Sequence, residues 1–226
     1  MGAVRLDRIN RDEAFRYMGI RGTADEVTAA LAEECEGRLL GEITPKYCWV
    51  TAEIADISES EVTLSGYKLS LRGRDIAAHL SGCHAAVLLC ATLGNGADRL
   101  IRLLQAEDMA KALIADSLAS AAVEQVCDIA EEEIRSRHQG LFTTWRFSPG
   151  YGDFPLDTQR DFLAAANASR AAGICLSASG MLTPTKSVTA VIGISRNPIE
   201  RKRQSCEACN LRGKCAYRKT GGHCGE

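Results

Sequence analysis

From Glu107 to His138 the chain runs for some thirty residues without a glycine or proline. A helix of that length reaches about 45 Å, enough to span a small domain. Ile114, Leu118, Ala121, Ala122, Gln125 and Ile129 recur at helical spacing and predict one buried stripe. Glu124 lies roughly 100° from the centre of that stripe, at the margin of the buried face. A solvated glutamate is the ordinary reading of such a position, but a carboxylate there can also reach into a cleft. Whatever else this chain builds must pack along that rod.

The remaining elements come mixed. "TADEVTAALAEECEGRLL" opens with a Thr23-x-x-Glu26 capping box and predicts a helix whose inner face carries Val27, Leu31, Cys35 and Leu39. "KYCWVTAEIAD" and "SEVTLSGYKLSL" are rich in β-branched and aromatic residues and predict two neighbouring strands. "RDIAAHL" predicts a short helix, "AAVLLCATLG" a buried strand, "NGADRLIRLLQ" a helix, Gln159 to Gly173 a further helix and "KSVTAVIGIS" a strand. Without a regular alternation of strand and helix, the expected class is α+β, a twisted, mainly antiparallel sheet with long helices, rather than a doubly wound parallel sheet.

No G-x-G-x-x-G follows a strand and no G-x-x-x-x-G-K-[ST] is present, so neither a dinucleotide nor a P-loop nucleotide is indicated. A net charge of −2 gives no basic footprint for nucleic acid. The apolar runs are too short for a membrane span and the N-terminus is charged, so a cytoplasmic chain is expected. Of ten cysteines, Cys35, Cys48, Cys83, Cys90, Cys127 and Cys175 stand singly in apolar surroundings, as small buried hydrophobes do. His79 and His84 read as helix-surface and loop residues, and no histidine dyad or catalytic residue is indicated.

"RFSPGYGDFPLDTQ", from Arg146 to Gln159, can be neither a good helix nor a central strand. Pro149 pushes Ser148 into an extended conformation, and Gly150 permits close approach or a positive φ. Extended backbone without a strand partner would leave peptide groups to bond a ligand. Arg146 offers a planar fork for a carboxylate, and Phe147, Tyr151 and Phe154 offer flat apolar walls. A well-packed structural loop accounts for the same residues; a small zwitterion carrying an aromatic ring would suit them too.

The spacing Arg146-x-x-x-Gly150-Tyr151, followed by Asp153 and Pro155, resembles the S-adenosylmethionine-binding motif in the activation domain of cobalamin-dependent methionine synthase. The helix before it and the Pro-x-x-Ser-Val segment in "MLTPTKSVTAVIGIS" are similar to neighbours of that motif. The resemblance covers about Asp108 to Ser195 and, more loosely, the chain from Asn10. It implies a stand-alone activation protein whose main domain is 1–195, with a ligand-binding core at 108–195. It also implies that Arg146, Ser148, Gly150 and Tyr151 hold S-adenosylmethionine, with Glu124 as the acidic helix residue near the ligand. The implied activity is that of a methyltransferase activation subunit. It supports reductive methylation of inactive Co(II)-cobalamin on a partner methionine synthase, with an electron donor such as flavodoxin or ferredoxin. The chain lacks the Asp-x-His-x-x-Gly signature of cobalamin-binding modules, so the cobalamin is expected on the partner. Another corrinoid protein as partner, or a non-catalytic ligand-sensing or interaction module, remains open on the same residues.

Residues 196–226 are read as a basic linker, "RNPIERKRQ", followed by a cysteine-rich tail. Cys206, Cys209, Cys215 and Cys224 follow C-x₂-C-x₅-C-x₈-C, a spacing at which four thiolates can take a [4Fe–4S] cluster or zinc.

Overall fold

The computed structural model describes residues 2–20 and 22–199. In order, its elements are β1 Gly2–Ala3, α1 Arg11–Tyr17, α2 Glu26–Glu42, β2 Lys46–Ile57, β3 Glu61–Leu64, β4 Ser70–Arg72, α3 Arg74–His79, β5 Ala85–Thr92, α4 Asn95–Glu107, α5 Met109–Arg137, β6 Phe142–Thr143, a 3-10 turn Leu156–Thr158, α6 Gln159–Ala165, α7 Ala168–Ala172, β7 Cys175–Leu176, β8 Leu182–Thr183 and β9 Ser187–Ser195. The expected class is what forms: α+β, with a curled antiparallel sheet ordered β4-β3-β2-β5-β9-β6, and β1 added to β2. The described chain divides into two compact units. One draws on Met1–Val50, Leu88–Gln139 and Gln159–Ala190, the other on Thr51–Val87, Gly140–Thr158 and the described residues from Val191.

In the first unit, α1, α2 and α4 pack on α5. Asp108 caps α5, its carboxylate accepting from the Ala110 and Lys111 amides at 2.9 and 3.2 Å, while Arg135 and Arg137 sit at the negative end of the helix dipole. The buried face is wider than one stripe and largely alanine: Ala112, Ala115, Ala119, Ala122 and Ala130 let neighbours approach closely, with Leu118, Val126, Cys127 and Ile134 filling between them. Gln125 and Ile129, expected on the stripe, fall off it. Ile129 is exposed, and Gln125 instead pins the N-terminal segment, accepting from the Asn10 amide at 2.9 Å. Ala-rich sequence hides the face because small residues carry little hydropathy contrast.

Four further expectations need correction. Helix α2 is capped by Asp25, which accepts from the Thr28 amide at 2.9 Å, and not by Thr23; Val27, expected inside, is exposed. "SEVTLSGYKLSL" is a tight β3–β4 hairpin rather than one strand, turning at Gly66 with φ 78°. The helix after Gln159 breaks in two at Asn167, whose φ of 50° is a left-handed value that asparagine tolerates. Cys175 is exposed, whereas Cys48 and Cys90 are buried as expected and lie on adjacent strands; their hydrogen bond, with burial, pushes the Cys90 thiol well above its ordinary range. β5 is buried at every residue, as its unbroken apolar run required.

No helix among the described residues is long and apolar enough to cross a membrane. Cys206, Cys209, Cys215 and Cys224 lie outside the described residues, and no metal-binding group of histidine, cysteine or carboxylate occurs among those that are described.

Candidate functional site

The segment carrying Arg146 belongs to the second unit and starts as a strand. β6 pairs antiparallel with β9, Phe142 opposite Ser195 and Thr143 opposite Ile194, and the Thr144 amide continues the ladder to the Gly193 carbonyl at 3.0 Å. Pairing resumes at Phe147, which exchanges bonds of 2.9 and 2.8 Å with Val191. Two residues, Trp145 and Arg146, therefore stand opposite the single Ile192. This is a β-bulge, a device that bends a strand and re-aims its side chains. It explains why Thr144 and Phe147 are both 3% exposed although three positions apart, a spacing that regular alternation would place on opposite faces.

Beyond the bulge the chain folds on itself. The Gly150 amide donates to the Phe154 carbonyl at 2.7 Å, Tyr151 to Ser148 at 3.1 Å and Phe154 to Tyr151 at 3.0 Å. The expectation of extended backbone without a partner is thus corrected: Phe147 has a strand partner, and the turn satisfies several of its own amides. Gly150 supplies the positive φ, 97°, that this turn needs. The apolar walls are corrected too. Phe147 and Phe154 are core residues stacked on each other at 6.2 Å between centroids, while Tyr151 alone of the three is exposed, at 57%. The Tyr151 ring meets Phe147 edge-on, also at 6.2 Å.

Asp153 fastens the turn. Its two carboxylate oxygens accept from the Arg74 and Asp75 amides at 2.8 and 3.0 Å, capping α3 from a distant part of the chain, and its own amide donates back to Asp75 Oδ2 at 3.2 Å. These amide bonds hold the Asp153 carboxyl below its ordinary range. Arg72 adds an ion pair to Asp157 at 2.8 Å. Under the bulge sits His79, expected at a helix surface but 8% exposed. Its ring meets Trp145 edge-on at 4.7 Å and Phe147 at 5.0 Å, and burial pushes its pKa down to about 4.

Chains of known structure include one with this architecture. No protein-family model matches the sequence, and no curated protein does. The crystal structure of the MetH reactivation domain bound to AdoHcy aligns with a TM-score of 0.62, covering 88% of this chain and 80% of that one, at 12% identity. The fold is that of this domain. At such identity the likeness carries the fold and leaves each side chain to be argued on its own surroundings.

Arg146, Ser148, Gly150 and Tyr151 are brought together on one anchored turn; Arg146 and Ser148 are half-buried, Gly150 and Tyr151 exposed. The Trp145 indole N–H is buried without a hydrogen-bond partner among the described residues, a donor that an acceptor at this turn would satisfy. Glu124 lies in the first unit, half-buried on α5 near Tyr17 of α1. Burial, with help from Glu13 and the Glu124 charge, pushes the Tyr17 phenol up to about 12. One turn earlier on α5, Ser120 accepts from Lys186 Nζ at 2.9 Å, and the same ammonium pairs with Asp116 at 2.9 Å. Ser187 of the Pro-x-x-Ser-Val segment donates its one hydroxyl proton to the Pro184 carbonyl at 2.6 Å and lies 2.8 Å from the Thr92 hydroxyl, so its role here is to shape backbone. Asp153 was quoted within the sequence motif without a task, and nothing marked Thr144, Asp75 or His79; only an unusual run of Thr-Trp-Arg-Phe before the turn pointed there.

Proposed function

We propose that this chain binds S-adenosylmethionine at the Arg146–Tyr151 turn and presents its methyl group to the cobalt of a corrinoid held by a partner protein, most directly a cobalamin-dependent methionine synthase. The observation that carries the reading is the placement of Arg146 in a bulge, with an exposed tyrosine ring five residues on, on a turn whose pose is fixed by Asp153. The fold shared with a reactivation domain solved with AdoHcy supports it. Arg146 would pair with the ligand carboxylate as a fork, Tyr151 would give a flat apolar wall, and Ser148 and Gly150 would offer backbone. The bound group supplies an electrophilic methyl; the protein's part is to hold it in place, which needs no nucleophile, acid or base of its own. In the same reading the four tail thiolates, Cys206, Cys209, Cys215 and Cys224, would take a [4Fe–4S] cluster or zinc, and an electron carrier such as flavodoxin or ferredoxin serves the partner.

Titration with S-adenosylmethionine, followed by calorimetry and by Trp145 fluorescence, is expected to show saturable binding. Arg146→Ala should weaken it roughly 10- to 100-fold, the usual loss for one half of a charge-assisted pair. Absence of binding at millimolar ligand overturns the proposal; normal binding by the variant removes Arg146 from it. For the tail, protein purified without oxygen is expected to be brown and to bleach on reduction. Colourless protein carrying one zinc per chain would replace the cluster with a structural metal.

A further inference from the structure

The bulge at Trp145–Arg146 is closed in an unusual way. In a regular antiparallel ladder the Gly193 amide would donate to the Thr144 carbonyl, completing the pair begun by the Thr144 amide. Here it donates to the Thr144 hydroxyl instead, at 2.7 Å. The side chain of Thr144 has replaced its own carbonyl as the acceptor, because the bulge turns the backbone away at that peptide. The same hydroxyl lies 2.8 Å from His79 Nε2, on α3. His79 Nδ1 is buried and has no hydrogen-bond partner among the described residues. One buried imidazole therefore fixes the hydroxyl that closes the ladder, and its ring packs on the residues at both ends of the bulge, Trp145 and Phe147. Space behind the node is tight. A Cβ on Gly193 would come within 2.5 Å of Cys83 Sγ and 3.0 Å of Thr144 Cγ2, so only glycine fits against this node.

We infer that His79 is a positioning residue: through the Thr144 hydroxyl it holds the Trp145–Arg146 bulge in the one conformation that aims Arg146 at the ligand. The inference rests on the proposed binding role of Arg146 and adds to it a residue that touches no ligand. Replacing His79 with an apolar ring of similar volume keeps the packing on Trp145 and Phe147 but leaves the Thr144 hydroxyl only the Trp145 carbonyl, 3.1 Å away, as an acceptor, and the bulge is free to relax toward other two-against-one arrangements. His79→Gln and Thr144→Ser keep a polar group at each end of the bond. His79→Phe and Thr144→Val keep the volume and delete the bond.

The test is a set of S-adenosylmethionine affinities on the full chain, with circular dichroism confirming that each variant folds. His79→Phe and Thr144→Val are expected to weaken binding about tenfold, as for a lost hydrogen bond that leaves a buried partner unpaired, while the Gln and Ser variants stay within about threefold of wild type. In an Arg146→Ala background the same two substitutions should have no further effect, since residues acting through one group are not additive. A His79→Phe protein that binds normally, or one whose loss persists undiminished beside Arg146→Ala, overturns the inference while leaving the binding site intact. If His79→Phe does not fold, the Thr144→Val and Thr144→Ser pair decides by the same criteria. No binding by wild type overturns both the site and this role.

Discussion

Lowering the pH from 7 to 4 is expected to remove on the order of 3 kcal/mol of folding stability through His79 alone. Burial holds the imidazole at about 4 in the folded protein, against an ordinary 6.5. Between those values the unfolded chain takes up a proton that the folded chain refuses, so stability rises with pH across that window. It is fully present above about 6.5 and lost as the pH approaches 4. Asp153 acts in a lower window. Its carboxyl, held down by the Asp75 and Arg74 amides, contributes stability above its ordinary value of 3.8, and this is lost as acid protonates it. Urea unfolding measured at steps from pH 7 to pH 3 should therefore show two limbs. His79→Gln is expected to flatten the upper limb and leave the lower one. An unchanged upper limb in that variant would mean that His79 is protonated in the folded state without penalty.

A comparably large loss is expected from Gly152→Ala. The residue has φ 55°, in the left-handed region, and a Cβ there would fall inside contact distance of Asp75 Oδ2. Backbone strain accounts for about 1–2 kcal/mol. To this is added the cost at Asp75, which must leave the Asp153 amide and so loosen the grip of Asp153 on α3. A total of about 2–3 kcal/mol is expected, backbone strain together with exposed hydrogen bonds worth about 0.5–1.5 kcal/mol. Gly180→Ala is the control: φ there is also positive, at 80°, but nothing lies within 4 Å of the added methyl. It should show the conformational penalty alone. S-adenosylmethionine affinity is expected to drop sharply in Gly152→Ala and to be unchanged in Gly180→Ala. Equal losses of stability in the two variants would mean that the Asp75–Asp153 exchange contributes nothing.

The long helix and the buried strand β5 were legible because their signals are local: an absence of breakers over Glu107–His138, and eight consecutive apolar or small residues. The class followed from element order. Asp25 was missed as a cap because Thr23 and Glu26 imitate a capping box, and the choice between them depends on where the chain enters the helix. Asn167 was missed because a left-handed asparagine looks, in sequence, like an asparagine in a helix. The turn at Arg146–Tyr151 was visible as stiffness of composition. Its bulge was invisible, since a bulge is a mismatch between two strands and Ile192 lies some fifty residues away. His79 could not be placed from a six-residue helix whose buried side depends on what crosses it.

The extra residue at 145–146 divides this strand into two stretches of opposite parity. Counting in twos from Thr144 marks even positions as inward, whereas counting from Phe147 marks odd ones. Deleting a single residue here would bring the two stretches into step. The sheet would become more regular with Thr144 and Phe147 both still inward, but the bulge that re-aims residues 145 and 146 would be lost. The number of residues between Thr144 and Phe147, more than their chemistry, is therefore what any redesign of this segment has to keep.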